Sequence, residues 1–440
     1  MLLVSPSKTR HSLRLPEFIS GSEISALTLC CHVIRLKSVP DFLHPLYNGL
    51  TVYFLGKVMF RNYVSGALIA VMWVISPLSV ASTNLAEVAN EFAANVAQHQ
   101  YVALGEQSHG AANVFNFKRE AVKALHKNHN FTVLALESGL YDVDWLYREF
   151  VKNGASIARS APGNIFYMYA NSTEIKPLFT YIEQSHRTDR PLKLVGFDSQ
   201  LTGGISKQFL VKELDSLLPP FNAQFSKTQW QAVAAVLQSV IEMKSTKPKN
   251  TDAFFELFAQ LEAHALGMKT RPDFWQRILV GLKAQAQRQW QLSDMRSHEM
   301  GNNLVWQANQ HQGQKMVIWA HIYHLQKERV DGSQNAGQVM FAQYPSAYHV
   351  THFTGGTGQY IDFVSMKTRS VSALARNSVE FAANKLDCEI CVLDVRTLLR
   401  KKPSSEVLLF NYETSVPLKD IVHKWDSLVH FANVTPSKQQ

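Results

Sequence analysis

Residues 101–110 read YVALGEQSHG, and this stretch decides the fold because it joins a strand to a helix through a polar turn. The short apolar run that stops at Gly105 predicts a buried strand, and apolar residues at helical spacing from about Asn113 to His126 predict the helix. Strand, tight turn and helix form the first half of a βαβ unit. Ligands of open parallel sheets bind outside the carboxyl ends of the strands, where this turn must lie. Glu106 and His109 in the turn are therefore candidates for chemistry.

Three further apolar runs end in the same way. They are Phe131–Leu136 before Glu137, Leu192–Phe197 before Asp198, and Met316–Ala320 before His321 and His324. Uninterrupted apolar runs are typical of parallel strands that helices cover on both faces. The sequence therefore predicts an α/β fold, with a mostly parallel sheet flanked by helices. The ionisable residues would gather along one edge of that sheet as an active site.

The segment 206–312 has a different composition, rich in Leu, Ala, Gln and Lys. Helical patterns recur at 208–218, 227–244, 251–266 and 272–311, and strand patterns are absent. We predict an all-helical insertion between two strands. Such a layer beside strand tips can act as a lid or specificity wall, or it can be plain scaffold, and both hypotheses stand.

The connecting and C-terminal segments complete the predicted sheet. Residues 153–171 are rich in small residues and predict a loop near the site, and residues 354–358 predict a Gly-rich turn. The apolar runs Ile390–Val395 and Val407–Phe410 predict the last strands.

Residues 59–81 carry the parts of a secretory signal peptide. Met59 and Arg61 precede an apolar run from Tyr63 to Ile75, and Ser79-Val80-Ala81 is a small-x-small cleavage site. The run is short for a membrane span. We therefore predict that residues 1–58 lie upstream of the true start and that the mature enzyme domain, 84–440, is exported to the periplasm or secreted. An internal membrane anchor is the alternative.

The charge of the chain, formally +9 with a pI near 9.2, raises the question of a nucleic-acid partner. No Lys/Arg cluster or aromatic-basic repeat supports one, so the excess charge indicates solubility and weak steering alone. We expect a small-molecule partner, no nucleic acid, and no stable membrane insertion after signal cleavage.

Two cysteines remain in the predicted mature chain, Cys388 and Cys391. An even pair in an exported protein can form a disulfide. A Cys-x-x-Cys can also be redox-active, but this one lies in or beside an apolar strand. We favour a structural pair, as a disulfide or as two buried thiols.

The chemistry predicted for the strand tips is water activation by histidine. Imidazole accepts a proton near neutral pH, and a neighbouring carboxylate such as Glu106 can orient His109 and stabilise its cation. Ser108 is a weaker candidate, because its surroundings lack the Gly-x-Ser-x-Gly elbow. His109, His321, His324 and Glu137 also have the ligand chemistry of zinc, so a metal-dependent hydrolase or peptidase stays open. A non-catalytic small-ligand-binding protein is the third hypothesis.

Four ordered motifs resemble those of the erythromycin esterase family. They are Gly105–Gly110, Leu136-Glu137-Ser138, Gly196-Phe197-Asp198 and Trp319–His324. Lys118 matches the family's basic residue nine positions past the first histidine. Arg296 matches its upstream arginine, with Met300 and Asn303 at the family's spacing. The resemblance covers about residues 95–400.

This resemblance implies a metal-independent, cofactor-free hydrolase that opens macrolide lactones, with the antibiotic resistance that follows. Carried onto this chain, it makes His109 the general base. Glu106, Glu137, His321, His324, Lys118 and Arg296 would shape or polarise the site. The chain departs from the family at Ile322, where the family has Asn, and at Ser297, where it has Asp. We expect both changes near the site, so the resemblance does not extend to a particular macrolide.

Overall fold

The computed structural model describes residues 84–217, 226–244, 246–328, 334–386, 388–401, 404–409 and 412–440. The predictions for residues 1–58 and for the signal peptide at 59–81 lie outside the described residues. No helix within these ranges is long and apolar enough to cross a lipid bilayer.

Strands and helices alternate along most of the chain. The strands are β1 (Tyr101–Glu106), β2 (Phe131–Gly139), β3 (Lys193–Asp198), β4 (Lys315–His321), β5 (Tyr348–Ile361), β6 (Thr368–Ser370), β7 (Ile390–Asp394), β8 (Glu406–Leu409), β9 (Thr414–Pro417) and β10 (Ser427–Val434). The helices are α1 (Leu85–Val96), α2 (Ala112–His129), α3 (Leu140–Asn153), α4 (Ile157–Ser160), α5 (Tyr167–Ala170), α6 (Lys176–Ser185), α7 (Val211–Leu217), α8 (Lys227–Ile241), α9 (Thr251–Leu266), α10 (Pro272–Gln289), α11 (Arg296–Gln310), α12 (Ile322–Leu325), α13 (Ala336–Gln343), α14 (Val379–Ala383) and α15 (Val395–Lys401). A π-helical turn, Ser206–Leu210, precedes α7, and a short 3₁₀ turn spans Leu418–Asp420.

The main sheet has the strand order β3-β2-β4-β1-β5-β10-β7. Strand β1 pairs in parallel with β4 and β5, and β2 pairs in parallel with β3 and β4. Strand β10 is parallel to β5 and antiparallel to β7, while β6 folds back antiparallel on the end of β5. The predicted α/β fold with a mostly parallel sheet is confirmed.

Strand β1 is buried along its whole length because helices cover both faces of the sheet. Val102 and Leu104 belong to the apolar core that includes α1 and α2. Tyr101 and Ala103 belong to the opposite core, with α11 and α13. Alternate residues of a strand point to opposite faces, so one uninterrupted apolar run serves both cores. Truncating Leu104 to Ala would cost roughly 2–5 kcal/mol of stability.

The predicted helical insertion between β3 and β4 is also confirmed, with one correction. The pattern at 272–311 is not one helix but two, α10 and α11. Trp290 is buried at the break, where its indole N–H donates to the carbonyl of Thr246, and Gln291 adopts a left-handed φ of 59°. That backbone conformation ends α10, although the helical spacing of apolar residues continues across it. The break makes Arg296 the first residue of α11.

The structure differs from the predicted elements at two places in the C-terminal half. The Gly-rich segment 354–358 is not a turn but the middle of β5. A Cβ on Gly355 would lie 2.1 Å from the Val434 side chain, so the glycine permits close strand packing. The predicted strand at 407–410 does not join the main sheet, because β8 pairs with β9 in a separate two-stranded sheet.

Strand β10, which takes the expected place in the main sheet, was not predicted from the sequence. Its His430 and Asn433 interrupt the apolar pattern, and tertiary partners accommodate both. The His430 ring bonds the Asn384 side-chain amide, and the side chain of the exposed Asn433 accepts from the Thr357 hydroxyl. The predicted loop at 153–171 likewise contains the one-turn helices α4 and α5.

Candidate functional site

The fold brings all seven predicted site residues together at one edge of the sheet. Strands β3, β2, β4 and β1 are adjacent in that order, and their register places Glu106 level with His321 and Gly139 level with Asp198. A cleft of about 610 Å³ opens at these strand ends. Five of the seven residues line it: His109, Glu137, Arg296, His321 and His324. Glu106 and Lys118 lie fully buried behind them.

Glu106 is the buried acceptor that orients His109. Its Oε1 lies 3.2 Å from His109 Nδ1, and its Oε2 pairs with the ammonium of Lys118. Burial alone would raise the pKa of the Glu106 carboxyl. Lys118 and the hydrogen bond from His109 outweigh burial and hold that pKa well below its usual range. Glu106 is therefore ionised at neutral pH and accepts a hydrogen bond from Nδ1–H, which leaves Nε2 of His109 as the unprotonated nitrogen.

Lys118 supplies the counter-charge from the second turn of α2. Its ammonium lies 4.3 Å from the centre of the Trp319 ring, which adds a cation–π contact to the ion pair. Burial lowers the pKa of Lys118 to about 8, although Glu106 opposes the shift. Lys118 keeps its proton at neutral pH, so the Glu106 charge stays compensated.

Tyr169 in α5 is a site residue that the sequence analysis missed. Its hydroxyl donates to Glu106 Oε1 over 2.5 Å and lies 3.3 Å from His109 Nδ1. Burial, Glu106 and Glu137 raise the pKa of Tyr169 well above its usual value, so the hydroxyl remains a donor. The signal in the sequence was weak, because Tyr169 lies some 60 residues from its partners in a segment that predicted only a loop.

Aromatic rings also enclose the His109 imidazole. Phe166 and Phe363 contact it edge-on, with ring centroids at 4.8 and 5.0 Å, and the His321 ring lies at 5.0 Å. Phe363 belongs to the turn between β5 and β6, so two distant loops hold one ring. Only 5% of the His109 surface remains exposed.

Glu137 lines the cleft between two strands. Its Oε2 accepts the backbone N–H of His321 over 2.7 Å, and its Oε1 lies 3.3 Å from His324 Nε2. Burial raises the pKa of the Glu137 carboxyl, although His109 and Arg296 act in the opposite direction. Glu106 and Glu137 thus have pKa values that their surroundings push apart, a pattern found in acid–base sites.

His321 is held as a neutral imidazole in one tautomer. Its Nε2–H donates to the carbonyl of Gln107 over 2.8 Å, and its Nδ1 accepts the N–H of Tyr323 over 3.1 Å. Burial and His109 lower the pKa of His321 to about 3. With both ring nitrogens bonded to backbone, His321 shapes the site and is not free to exchange protons.

His324 lies between Ser297 and Glu137. The Ser297 hydroxyl is 3.0 Å from Nδ1, so the residue at the position of the family's Asp still bonds this histidine. Burial and the charge of Arg296 hold the pKa of His324 well below its usual range. A neutral hydroxyl in place of a carboxylate leaves His324 with less compensation for a positive charge.

Ile322, the other departure from the family pattern, does not face the cleft. It is buried in the core beside Gly105, where an added Cβ would lie 2.5 Å from the Ile322 side chain. Ile322 was expected near the site. Its backbone does lie there, directly after His321, but its side chain points into the core. The Ile322 side chain packs away from the substrate side and cannot alter specificity directly.

Arg296 forms a two-point ion pair with Asp198. Its Nε and Nη2 donate to the two carboxylate oxygens over 3.0 and 2.5 Å, and Nη2 is 3.7 Å from Glu137. The side chain remains 23% exposed and lines the cleft. A fixed guanidinium, oriented by a fork of hydrogen bonds, is suited to face negative charge that develops on a substrate.

The remaining candidates have structural roles. Ser108 is fully buried and its hydroxyl accepts the N–H of Gly110, so it does not face the cleft as a nucleophile. Cys388 and Cys391 are joined by a disulfide beside β7. Within the described residues, no group of three or more His, Cys, Asp or Glu is arranged to hold a metal ion.

Comparison with known proteins places this geometry in context. The sequence model of the family described as erythromycin esterase matches residues 126–421, which leaves Glu106, His109 and Lys118 just outside the matched span. A relative in Bacillus subtilis (strain 168), YbfO, named as a candidate hydrolase, is 23% identical over 381 residues. That alignment covers 76% of this chain and 84% of the relative.

Solved structures share the fold at low sequence identity. A succinoglycan biosynthesis protein superposes with a TM-score of 0.63 at 17% identity, over 80% of this chain and 92% of its own. A Bacillus cereus protein gives 0.62 at 18%, over 81% and 99%. A mutant of the erythromycin esterase EreC in its open conformation gives 0.58 at 16%, over 80% and 94%. At these identities the likeness concerns the fold alone.

Proposed function

The chain belongs to the erythromycin esterase family and is a hydrolase, and on that premise we propose that it cleaves a carboxylic ester or lactone by attack of a water molecule that His109 activates. Macrolide lactones are the first substrates to test, because the family and the solved EreC are named for hydrolysis of the macrolide erythromycin. If they are cleaved, the protein confers antibiotic resistance.

The observation that carries this proposal is the chain of contacts from Lys118 through Glu106 to His109. The lysine keeps the carboxylate ionised, the carboxylate orients Nδ1, and the imidazole faces the cleft. The same logic operates in hydrolytic triads, where a buried acid selects the tautomer and stabilises the imidazolium that forms. Here the proton would come from water, since Ser108 is turned away.

The proposed reaction has two steps. A water oxygen attacks the carbonyl carbon while its proton passes to His109 Nε2, and the carbonyl oxygen becomes an oxyanion facing Arg296. The carbon–oxygen bond to the leaving alcohol then breaks, and the imidazolium returns the proton to that oxygen. Glu137, His321 and His324 define the walls around the reacting carbon. The step needs no cofactor.

The test is a hydrolysis screen of p-nitrophenyl esters, simple lactones and macrolides. We compare the wild type with His109→Ala and with the control His423→Ala. The His423 side chain is half exposed and does not line the cleft. General-base catalysis is worth about 10²–10⁴-fold, so His109→Ala should lose at least that much kcat/KM while the control keeps it.

The same screen with chelator addresses the metal hypothesis. We expect dialysis against EDTA to leave the rate unchanged, because water activation is assigned to His109 and not to a Lewis acid. Loss of activity that zinc restores would recast His109, His321 and His324 as ligands. Full activity in His109→Ala would remove the general base altogether.

We also propose that the enzyme is exported, on the strength of the signal-peptide pattern at 59–81. An exported enzyme would hydrolyse a small-molecule ester in the periplasm or outside the cell, before the ester enters the cytoplasm. The disulfide between Cys388 and Cys391 supports an oxidising compartment.

A further inference from the structure

The tip of the β5–β6 hairpin, residues 362–367, exposes apolar side chains beside the cleft. Val364 is 77% exposed, the largest value for a big apolar side chain in the described ranges, and Met366 is 47% exposed. Phe363, the residue next to Val364 in the chain, lines the cleft and contacts the His109 ring. Tyr167, itself 40% exposed, donates its hydroxyl to the carbonyl of Phe363. The exposed surface is therefore continuous with the cleft lining.

The hairpin tip is ordered by its own polar contacts. Asp362 Oδ1 accepts the backbone N–H groups of Val364 and Ser365 over 3.1 and 2.6 Å. The carbonyl of Asp362 accepts the N–H of Met366, and its other carboxylate oxygen faces Arg369. A surface held in this way binds a ligand without paying to order a loop.

Met366 adopts a left-handed backbone conformation, with φ at 55°. Glycine would take this conformation without strain, and Asn more easily than Met. A strained position that keeps an apolar side chain exposed, in the hairpin whose Phe363 contacts His109, makes that side chain a candidate for ligand contact. Exposed apolar patches that border a cleft are typical of ligand contact.

We propose that the hairpin tip, through Val364 and Met366, binds the extended hydrophobic part of the substrate at the mouth of the cleft. This inference rests on the proposed function and deepens it. The preferred substrates are esters or lactones that carry a long or bulky apolar group, whose reacting carbonyl sits at His109 while the apolar group leaves the cleft across the tip. Small esters fill the cleft and do not reach the tip.

The test is a series of p-nitrophenyl esters from acetate to decanoate. Burying one methylene is worth about fourfold at most, so kcat/KM should rise roughly twofold with each methylene that reaches the partly exposed tip. The double variant Val364→Ser/Met366→Ser should lower the decanoate-to-acetate ratio of kcat/KM by about tenfold. Leu266→Ser, at a 57% exposed leucine that ends α9, is the matched control and should keep the wild-type ratio.

Each outcome separates this inference from the proposed function. If the wild type hydrolyses the acetate and the decanoate equally well, the proposed role of the hairpin tip is wrong and the proposed esterase function stands. If the wild type hydrolyses none of the esters, the proposed esterase function is wrong, and so is the role of the hairpin tip that rests on it. If the double variant keeps the ratio but loses binding to phosphatidylcholine vesicles or loses self-association, the tip docks on a lipid surface or a second copy, and the proposal is wrong. A ratio that falls equally in Leu266→Ser would also contradict it.

Discussion

Two ion pairs fix the charges around His109, one buried behind the ring and one that lines the cleft. Lys118 and Glu106 compensate each other out of contact with solvent, so the orienting carboxylate stays ionised in a buried position. An unpaired buried carboxylate would take up a proton and lose its hold on His109. Arg296 on the cleft side is oriented in turn by Asp198.

Arg296→Ala should lower kcat/KM for esters by one to three orders of magnitude, roughly the cost of losing one oxyanion donor. Arg271→Ala is the control, since Arg271 forms a comparable two-point ion pair with Asp144 but does not line the cleft. Steady-state kinetics on folded proteins, checked by circular dichroism, decide the matter. A rate for Arg296→Ala equal to that of the control would remove Arg296 from the machinery.

Tyr169→Phe should lower kcat about tenfold with little change in KM. The hydroxyl donates to the ionised Glu106 but does not line the cleft, and a hydrogen bond to a charged group is worth about 1.5–3 kcal/mol. The matched control is Tyr147→Phe, which removes a hydroxyl that bonds His186. If KM rose and kcat stayed constant, Tyr169 would act on substrate binding instead of on the orientation of His109.

At the scale of elements, the ends of helices and strands place the charges. The break between α10 and α11 puts Arg296 at the start of a helix, where it meets the end of β3. The hairpin of β5 and β6 is anchored on the turn between β1 and α2, because the N–H of Ile361 donates to the carbonyl of Gly110. The backbone N–H of Ser437, near the C-terminal end of β10, donates to the same carbonyl. Two distant segments thus hold one turn.

The start of the helical insertion is tied to α3 through Asp142. This buried carboxylate accepts the backbone N–H and the hydroxyl of Ser206 over 2.8 and 2.6 Å. Burial raises the pKa of Asp142 from 3.8 to about 6, although the bonds from Ser206 oppose the shift. Its ionisation therefore carries a penalty that exists only in the folded protein.

This penalty predicts a pH-dependent difference between wild type and Asp142→Asn. Between pH 4 and 6 the folded state binds more protons at Asp142 than the unfolded state, so its contribution to stability falls as pH rises through that window. Asp142→Asn lacks this titration. The stability of wild type relative to the variant should fall by on the order of 1–3 kcal/mol from pH 4 to 7, measured by urea denaturation. A difference that is constant with pH would contradict the raised pKa.

At the scale of the whole molecule, the parallel sheet is the device that assembles the site. Residues between positions 106 and 324 converge because parallel strands present their carboxyl ends at the same edge. The insertion between β3 and β4 then supplies Arg288 and Arg296 to the cleft. This favours the specificity-wall hypothesis for that end of the insertion.

The predicted export belongs to the same scale. Expression of the full sequence in a bacterium with a functioning secretion pathway should yield a mature protein that starts near Ser82, as read by N-terminal sequencing. Replacing apolar residues of the run Tyr63–Ile75 with Asp should leave the protein inside the cell, since the run is what the export machinery recognises. A mature chain that retains residues 1–58 would contradict the predicted start.

The amino-acid sequence by itself determined the parts of the protein that depend on local pattern. Apolar runs predicted the four strands that carry the site, because strands buried on both faces are apolar along their whole length. The ionisable residues that follow these runs, among them Glu106, Glu137 and His321, were therefore predicted at one edge of the sheet. Helical spacing predicted the insertion. The four motifs in order indicated the family.

Only the tertiary structure decided the features that depend on distant partners. Tyr169, Phe166 and Phe363 reach His109 from segments without a periodic pattern, so nothing local marked them. Strand β10 was not recognised because its buried His430 is satisfied by Asn384, a partner distant in the sequence. The α10–α11 break was not recognised because a single left-handed residue leaves the apolar spacing intact. The pKa values of Glu106 and Glu137 differ for the same reason. Burial acts on both carboxyls, and the folded chain supplies a lysine to one and not to the other.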